Sequence, residues 1–588
     1  MAANDFLLGP VLSFRGVGKD GTWKVTALIG IREGAEVPKL RVEGRACTAP
    51  TQLLVIRKER YLRYDLSCKV RKDERRVEYG VEGGPVWHFT VPGKDFAPRM
   101  AYVSCNGFSD PSGMRRLVRP ANAVWEDLLV SHDRLLRGRT LLDKEQLWHE
   151  VRIHDKGLQR FHVLLMGGDQ IYFDSIWEDI PELKHWVSLA RAEQLNFSVS
   201  TTLERKIEAY YFTLYRQRWL SEKRRPWGMG EPNRDAADAL ARIPTVMMWD
   251  DHDIFDGWGS YTAEMQRSPL FQTLFRHARR AFWVFQMQHA LDDLPELVDG
   301  TPPGFSSQDP IHAPIAWSTQ LKKDALALPL LDNQPGFTSV FQAGPLALVV
   351  ADLRTERSRT QVLGAYTWKQ LKDWLGRLDT TLAPKHPGTR CQHLLFMSSV
   401  PVAHPKLGLA EGLLDNVGQD HVLDSSADDL RDHWSHDDHE GERKRLLEVL
   451  SETARQKRLR VSLLSGDVHV AAWGTAYRRD LPASETWAQI HQFTSSAVVH
   501  PSLMGVAERL FLGVLNASAR TPQAIDVQYS VEMMLFPGHS QYVMPARNWL
   551  ALELDVGSDE AKLWATWRCE TETAFSNHLQ TVPPARLG

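Results

Sequence analysis

Phe161-His162-Val163-Leu164-Leu165-Met166-Gly167-Gly168-Asp169-Gln170-Ile171-Tyr172 is an apolar run that ends on two glycines, a carboxylate and a phenol. Five more runs have the same form. Arg99–Ser104 leads into Cys105-Asn106, and Ile243–Trp249 into Asp250-Asp251-His252-Asp253. Leu346–Ala351 leads into Asp352-Leu353-Arg354, Arg460–Leu464 into Gly466-Asp467-Val468-His469, and His393–Met397 into Ser398-Ser399-Val400-Pro401, which offers no strong ligand. Continuous apolar runs predict strands covered on both faces, and such sheets gather reactive groups beyond their carboxyl ends. Six carboxylates, two imidazoles, a thiol and a phenol would then share one crevice. So many ionisable groups need a compensating cation, so the ends predict a metal centre.

Outward from these runs, the chain divides in two. The first 95 residues show short β-like stretches at Thr22–Ile31, Lys39–Val42, Gln52–Ile56, Arg63–Val70, Arg76–Val81 and Val86–Val91, with turn-forming residues between them. They predict a small antiparallel β-sandwich over 1–95, ending near Pro92-Gly93-Lys94. Strands alternating with amphipathic helices predict an α/β catalytic domain over 96–588. Helices are expected at Leu203–Leu220, from Ser268-Pro269 onward, at Trp368–Leu378 and at His439–Lys457. Pro295–Gln342 and Val402–His436 read as long loops, of the kind that carry pocket walls.

Bulk properties narrow the function. At 588 residues the chain exceeds one core, and its net charge of −3 supplies no global basic field for nucleic acid. The basic stretch Gln217–Arg225 reads as a solvated helix end, so a nucleic-acid partner is not expected. No window approaches 18 consecutive apolar residues, so no spanning helix is expected. The N-terminus lacks the marks of an export signal, and Cys47, Cys68, Cys105, Cys391 and Cys569 are scattered with no CxxC pair. Both features predict a reducing, cytoplasmic location.

Three strand ends carry the ligand chemistry. Asp169 can bridge two cations and Tyr172, three residues on, is a hard donor suited to a trivalent ion. Asp250, Asp251 and Asp253 would repel one another beside His252 without a cation or arginine between them. Asp467 and His469, two apart on an extended turn, aim at one site. Cys105 reads on its own as a core thiol, drawn toward the ligand set by its place at the crevice. Arg354 stands evenly between a phosphate clamp and a structural ion pair. Asn106 reads as a turn cap, and Asp432-His433-Trp434-Ser435-His436-Asp437-Asp438-His439-Glu440 as the acidic cap of the helix that follows, with Glu442 and Arg443 given no special role.

Taken in order, Ser104-Cys105-Asn106, Gly168-Asp169-Gln170-Ile171-Tyr172, Trp249-Asp250-Asp251-His252-Asp253, Asp352-Leu353-Arg354 and Ser465-Gly466-Asp467-Val468-His469 resemble the motifs of alkaline phosphatase D-like (PhoD-like) metallophosphatases. The resemblance covers about residues 99 to 500 and implies a four-layer metallophosphoesterase sandwich behind the β-rich start. It implies Fe³⁺ held by Cys105, Asp169, Tyr172 and His469, paired with Ca²⁺ or another divalent ion held by Asp169, Asp251 and Asp467. His252 would contact phosphate and assist the leaving group. The implied activity is hydrolysis of a small-molecule or polymeric phosphoester, monoester or diester, by a water activated at the binuclear centre. The alternatives are a non-catalytic relative that binds a phosphorylated ligand, and a nuclease. Cys105 and Asp467 stand where the broader superfamily has Asp-x-His and Gly-His-x-His, a departure from its standard two-metal pattern.

Overall fold

The computed structural model describes residues 6–94, 96–108, 115–133, 160–219, 234–294, 329–331, 334–378, 390–404, 433–501, 512–513, 515–555 and 562–585. The six apolar runs are strands at Met100–Val103, Val163–Gly167, Thr245–Met248, Leu346–Val350, His393–Met397 and Arg460–Ser465. Every residue in them is buried. They divide three and three between two large sheets.

In the first sheet, Met100–Val103, Val163–Gly167 and Thr245–Met248 run parallel in that order. Asn548–Asp555 closes one side antiparallel, at Met100↔Leu552, and is followed by Lys562–Glu570 and Phe575–Val582. On the other side Leu8–Val17 joins Thr245–Met248 in parallel, at Ser13↔Thr245. Thr22–Arg32, Glu59–Asp65 and Thr51–Ile56 then continue the sheet by antiparallel pairing. In the second sheet, Leu346–Val350, His393–Met397, Arg460–Ser465 and Gln489–Ser495 are parallel neighbours. The protein is a mixed α/β molecule of several sheets, since parallel neighbours require crossover connections.

The alternation of side chains along each strand separates three cores. Tyr102, Leu165, Val246 and Met248 of the first sheet pack with Leu348, Val350, Leu395, Met397 and Leu464 of the second. The opposite face of the first sheet, through Leu164, Met166 and Met247, meets helices Ala123–His132, Thr201–Arg218 and Pro269–Phe285. Val349, Phe396 and Leu463 turn from the second sheet toward Trp368 and Leu371 on helix Ala365–Gly376 and Leu446 and Leu450 on helix Glu440–Lys457. Four expected helices are thus present with ends shifted by a few residues. Ser200 Oγ accepts from Leu203 N at 3.2 Å and starts the first of them. No helix among the described residues is long and apolar enough to cross a membrane.

The six β-like stretches expected before residue 95 are strands, with Arg63–Val70 divided into Glu59–Asp65 and Cys68–Lys69. The sequence reading missed Leu8–Val17, where Gly9-Pro10 interrupts the pattern. Strands from both sides of residue 95 share the first sheet, and Arg45–Ala46, Leu40–Val42, Arg75–Val81 and Val86–Val91 form a separate one. Of the two long loops, Ser339–Ala343 forms a strand at the end of the first. Residues 295–328 and 405–432 lie outside the described residues, as do residues 220–225 of the basic stretch.

A buried polar knot ties the first strands to the end of helix Pro269–Phe285. Arg15 donates to the Met287 and Gln288 carbonyls at 2.7 and 3.0 Å, and Arg63 donates to Gln288 O at 3.2 Å. Gln288 answers with its amide on Val11 O, at 2.8 Å, and accepts from Thr26 Oγ1, at 2.8 Å. Removing a donor here leaves buried carbonyls short of partners, at a cost of about 1–3 kcal/mol. Arg15→Met is therefore expected to lower stability by that amount, seen as an earlier urea midpoint. An unchanged midpoint would show that the knot is not needed to hold these strands.

Candidate metal centre

The turns that follow the strands share an uncommon backbone. Cys105, Asp169, Asp467 and His469 all lie in the left-handed region, at φ 54°, 55°, 69° and 52°. Non-glycine residues visit this region rarely, and such residues concentrate at functional sites. Gly168 precedes Asp169 at φ 101°, and a side chain there would come within 2.8 Å of Asp250 Cβ. At Gly107 a Cβ would lie 2.4 Å from the Tyr172 ring, so glycine there lets the ring close over the strand ends. Backbone bonds from Cys105 N to Gly168 O and Asn106 N to Asp169 O, at 3.2 and 2.8 Å, lock two of the turns together.

These turns bring carboxylates together. Asp169, Asp251 and His252 offer donor atoms within 4.8 Å of one another, and so do Asp169, Asp250, Asp251 and Asp467. Cys105 Sγ is 3.4 Å from Asp169 Oδ2 and 3.0 Å from Ser496 Oγ. Tyr172 packs with Cys105 and Ala497 in one buried cluster. Its ring stacks on His252 at 4.4 Å and on His500 at 6.0 Å between centroids, and His500 stacks on His469 at 3.6 Å. Cys105, Asp169, Tyr172, Asp251, Asp467 and His469 therefore meet around one crevice, on turns from both sheets.

Arg354 takes the ion-pair position. It is fully buried, pairs with Asp250, reaches Asp251 at 3.4 Å and donates to Trp258 O at 3.0 Å. Asp352 caps the turn beside it, accepting from Arg354 N and Thr355 N and from Trp249 Nε1. Asp253 is a strut rather than a ligand. Its carboxylate accepts from Gln170 N and Ile171 N, at 3.1 and 2.9 Å, and from Asp250 N at 3.0 Å, joining two turns. Asn106 is not a simple cap, since its Oδ1 accepts from Trp125 Nε1 at 2.9 Å.

Asp169, Cys105, Tyr172, His469 and His500 are pushed toward neutral forms. Burial raises Asp169 well above the carboxylate range, opposed by His252 and reinforced by Asp250, Asp251 and Asp253. Burial raises the Cys105 thiol and the Tyr172 phenol, with Asp169 adding to both. It lowers His469 and takes His500 down to about 3, which keeps both as neutral imidazoles. Asp169 Oδ1 and Tyr172 Oη are buried without a hydrogen-bond partner, apart from the Cys105 thiol beside the phenol, itself a weak one. Buried polar atoms are nearly always satisfied, so these two mark where a cation fits. An S, O and N donor set of this kind suits metal ions.

His252 differs from its neighbours. Burial alone would lower its pKa, but Asp174, Asp251 and Asp169 outweigh burial and hold it well above the ordinary imidazole range. Asp174 Oδ2 sits 2.8 Å from His252 Nδ1, and Asp174 Oδ1 accepts from Asp256 N at 2.8 Å.

Sequence reading missed five contributors. Asp174 lies two residues past Tyr172, a position where a carboxylate reads as an ordinary helix cap. His500 follows a strand with no motif around it. His433 was read within an acidic cap, yet its Nε2 lies 3.4 Å from Asp467 Oδ2. Arg443, given no role, is buried and donates to Val402 O and His404 O at 2.8 and 3.0 Å, which fixes a segment at the crevice. Glu442, likewise, accepts from Val362 N, Leu363 N and Trp368 Nε1. The capping expectation does hold for Asp437, Asp438 and Glu440, which lie in first turns.

Replacing Asp174 by Asn removes the nearest charge that stabilises the imidazolium. The pKa of His252 in the metal-free protein is therefore expected to fall, as followed by NMR of labelled histidine. A His252 titration indifferent to the change would remove Asp174 as the source of its charge.

The family described as PhoD related phosphatase matches residues 130–301 and 408–521. Those segments include Asp169, Tyr172, Asp251, His252, Asp467 and His469, while Cys105 and Arg354 fall outside them. An uncharacterized protein of Saccharomyces cerevisiae is 27% identical over 457 residues, covering 70% of this chain and 56% of that protein. The chain thus spans little more than half the length of that curated relative. A solved structure of PhoD aligns with 96% of this chain and 91% of its own, at 13% identity and a TM-score of 0.44. The PhoD-like family resemblance seen in the motifs is met by the family match.

Proposed function

We propose that this PhoD-like protein is a metal-dependent hydrolase of phosphoesters, monoesters or diesters, acting on a small-molecule or polymeric substrate. The observation that carries the reading is the buried Asp169 Oδ1, left without a partner at the meeting point of the acidic turns, with Tyr172 Oη nearby satisfied by no more than the weak Cys105 thiol. A four-layer sandwich suits the three cores, with the crevice at the carboxyl ends of both sheets.

Cys105, Asp169, Tyr172 and His469 would hold Fe³⁺, and Asp169, Asp251 and Asp467 a divalent ion, with Asp169 shared. When bound, such a pair of cations polarises a phosphoryl group and acidifies a water molecule. The chain's own residues prepare the rest. Arg354 is a positioning residue: it neutralises Asp250 and holds Asp251 at the crevice edge. Asp253 keeps the Asp169 and Asp251 turns in fixed register through its backbone bonds. Asp174 orients His252 through Nδ1, which leaves Nε2 as the nitrogen that faces a phosphoryl oxygen. As an imidazolium, His252 stabilises charge on that oxygen and gives its Nε2 proton to the departing alkoxide.

The direct test is elemental analysis of the purified protein alongside a phosphoester panel. Asp169→Asn is expected to lose at least one metal and most of the activity. Full turnover with both metals retained would overturn the shared-ligand assignment.

His252→Ala separates chemistry from metal binding. Loss of a positioned acid costs about 10²–10⁴-fold in rate, more for a basic leaving group than for one that departs unaided. The variant is expected to keep its metals, to lose much activity on alkyl esters and to lose less on nitrophenyl esters. Equal losses on both would confine His252 to binding phosphate, and loss of metal would make it a ligand.

A further inference from the structure

We infer that Arg460 and His491 hold a free small oxyanion of the phosphate class between the two large sheets, at the strand ends opposite the acidic crevice. The inference stands apart from the binuclear reading. Arg460 is 1% exposed, and its Nε, Nη1 and Nη2 are all buried without a hydrogen-bond partner. No other arginine among the described residues has all three nitrogens in that condition. Burial takes its pKa down to about 10 and no carboxylate acts on it, so it stays a cation near neutrality. Taking such a charge out of water with nothing to balance it costs several kcal/mol, and a counter-charge is the remedy.

Arg460 opens strand Arg460–Ser465, and Leu464, on the same face, packs in the core between the sheets. His393 is the register partner of Arg460, and His491 that of Ser462. Leu395 and Phe493, which share a face with these two histidines, belong to the same core. Arg460 and His491 are thus diagonal neighbours on adjacent strands, about 8 Å apart at Cα, a spacing that side chains of their length can close on one ion. The far end of the Arg460 strand leads to Asp467, roughly 20 Å along the chain, so the site is separate from the crevice.

His491 brings a donor and no free acceptor. Trp473, on strand Ala471–Arg478, donates through Nε1 to His491 Nδ1 at 3.2 Å. The proton of the neutral ring is then on Nε2, and that atom is buried with no partner. Burial, with the charge of Arg460 adding to it, takes His491 down to about 3, which keeps the ring neutral. His393 is held neutral by burial first, then by Arg460 and His491, and its Nε2 is engaged by Ser462 Oγ at 3.0 Å. The result is one positive charge and a group of N–H donors, a set that repels a metal ion. A water molecule accepts from such donors but leaves the charge unbalanced. An oxyanion meets both needs, and the guanidinium fork matches two of its oxygens. Burial this complete admits a free ion and not a phosphate carried on a larger molecule.

The test is calorimetric titration of inorganic phosphate alone into the full-length protein, dialysed into bis-Tris chloride to remove other oxyanions. Wild type is expected to bind phosphate. Arg460→Met is expected to lose one phosphate site and to keep any phosphate bound at the crevice. His491→Phe is expected to bind at the same site about tenfold more weakly, through loss of one donor to a charged acceptor. It decides the question if Arg460→Met yields no folded protein. Equal numbers of sites in wild type and Arg460→Met would assign the phosphate to the crevice and overturn the inference. Wild type that binds no phosphate, or unchanged affinity in His491→Phe, would overturn it as well.

Discussion

At the carboxyl ends of two apolar sheets, Asp169, Asp250, Asp251 and Asp253 are each no more than 3% exposed, and Arg354 pairs with Asp250 and Asp251. Much else in the molecule follows from keeping these acids out of water. The acids that cannot share the guanidinium are handled one at a time. Asp253 is absorbed by backbone N–H groups, which stabilise its ionised form as far as burial allows and leave its pKa near 7. Asp251 gains Gly257 N. Asp169 keeps one oxygen with no partner at all. An unpaired buried carboxylate oxygen is costly, so the fold tolerates it where something else supplies the charge.

The same constraint explains how the two sheets cooperate. Neither carries a complete donor set. Cys105, Asp169, Tyr172 and Asp251 follow strands of the first sheet, whereas Asp467 and His469 follow a strand of the second. Contacts across the seam run largely through the backbone: Val498 N to Ser104 O at 2.9 Å, Val499 N to Cys105 O at 3.3 Å, and Ser104 Oγ to Ser495 O at 2.9 Å. The apolar core between the sheets sets their spacing, and these bonds set the register of the turns.

Much of this was legible in the sequence, for a definite reason. A strand buried on both faces leaves an uninterrupted apolar run, and such a run has a visible end where polar residues resume. All six runs, and the residues at their ends, could be placed in this way. Leu8–Val17 escaped because Gly9-Pro10 and Arg15 break its pattern, and Arg15 is explained only by Met287 and Gln288, hundreds of residues away. His433, His500, Asp174 and Arg443 escaped for a related reason. Each is an ordinary residue in its local setting, and its role comes from a partner that sequence spacing does not reveal. Arg354 could not be decided beforehand because guanidinium serves a phosphate and a carboxylate equally well. Burial beside Asp250 is a property of the folded chain.

The order of strands in the first sheet has a bearing on how the molecule is made. Met100–Val103, whose end carries Cys105, lies between Val163–Gly167 and Asn548–Asp555. During synthesis that strand emerges early, with one edge bare until more than four hundred further residues have been translated. Ser104 likewise waits for Ser495, whose carbonyl accepts its hydroxyl at 2.9 Å. A nascent chain in this condition exposes an apolar strand edge to the crowded surroundings of the ribosome. Closure of the crevice is thus a late event in the life of the polypeptide, completed only after the last strands have docked.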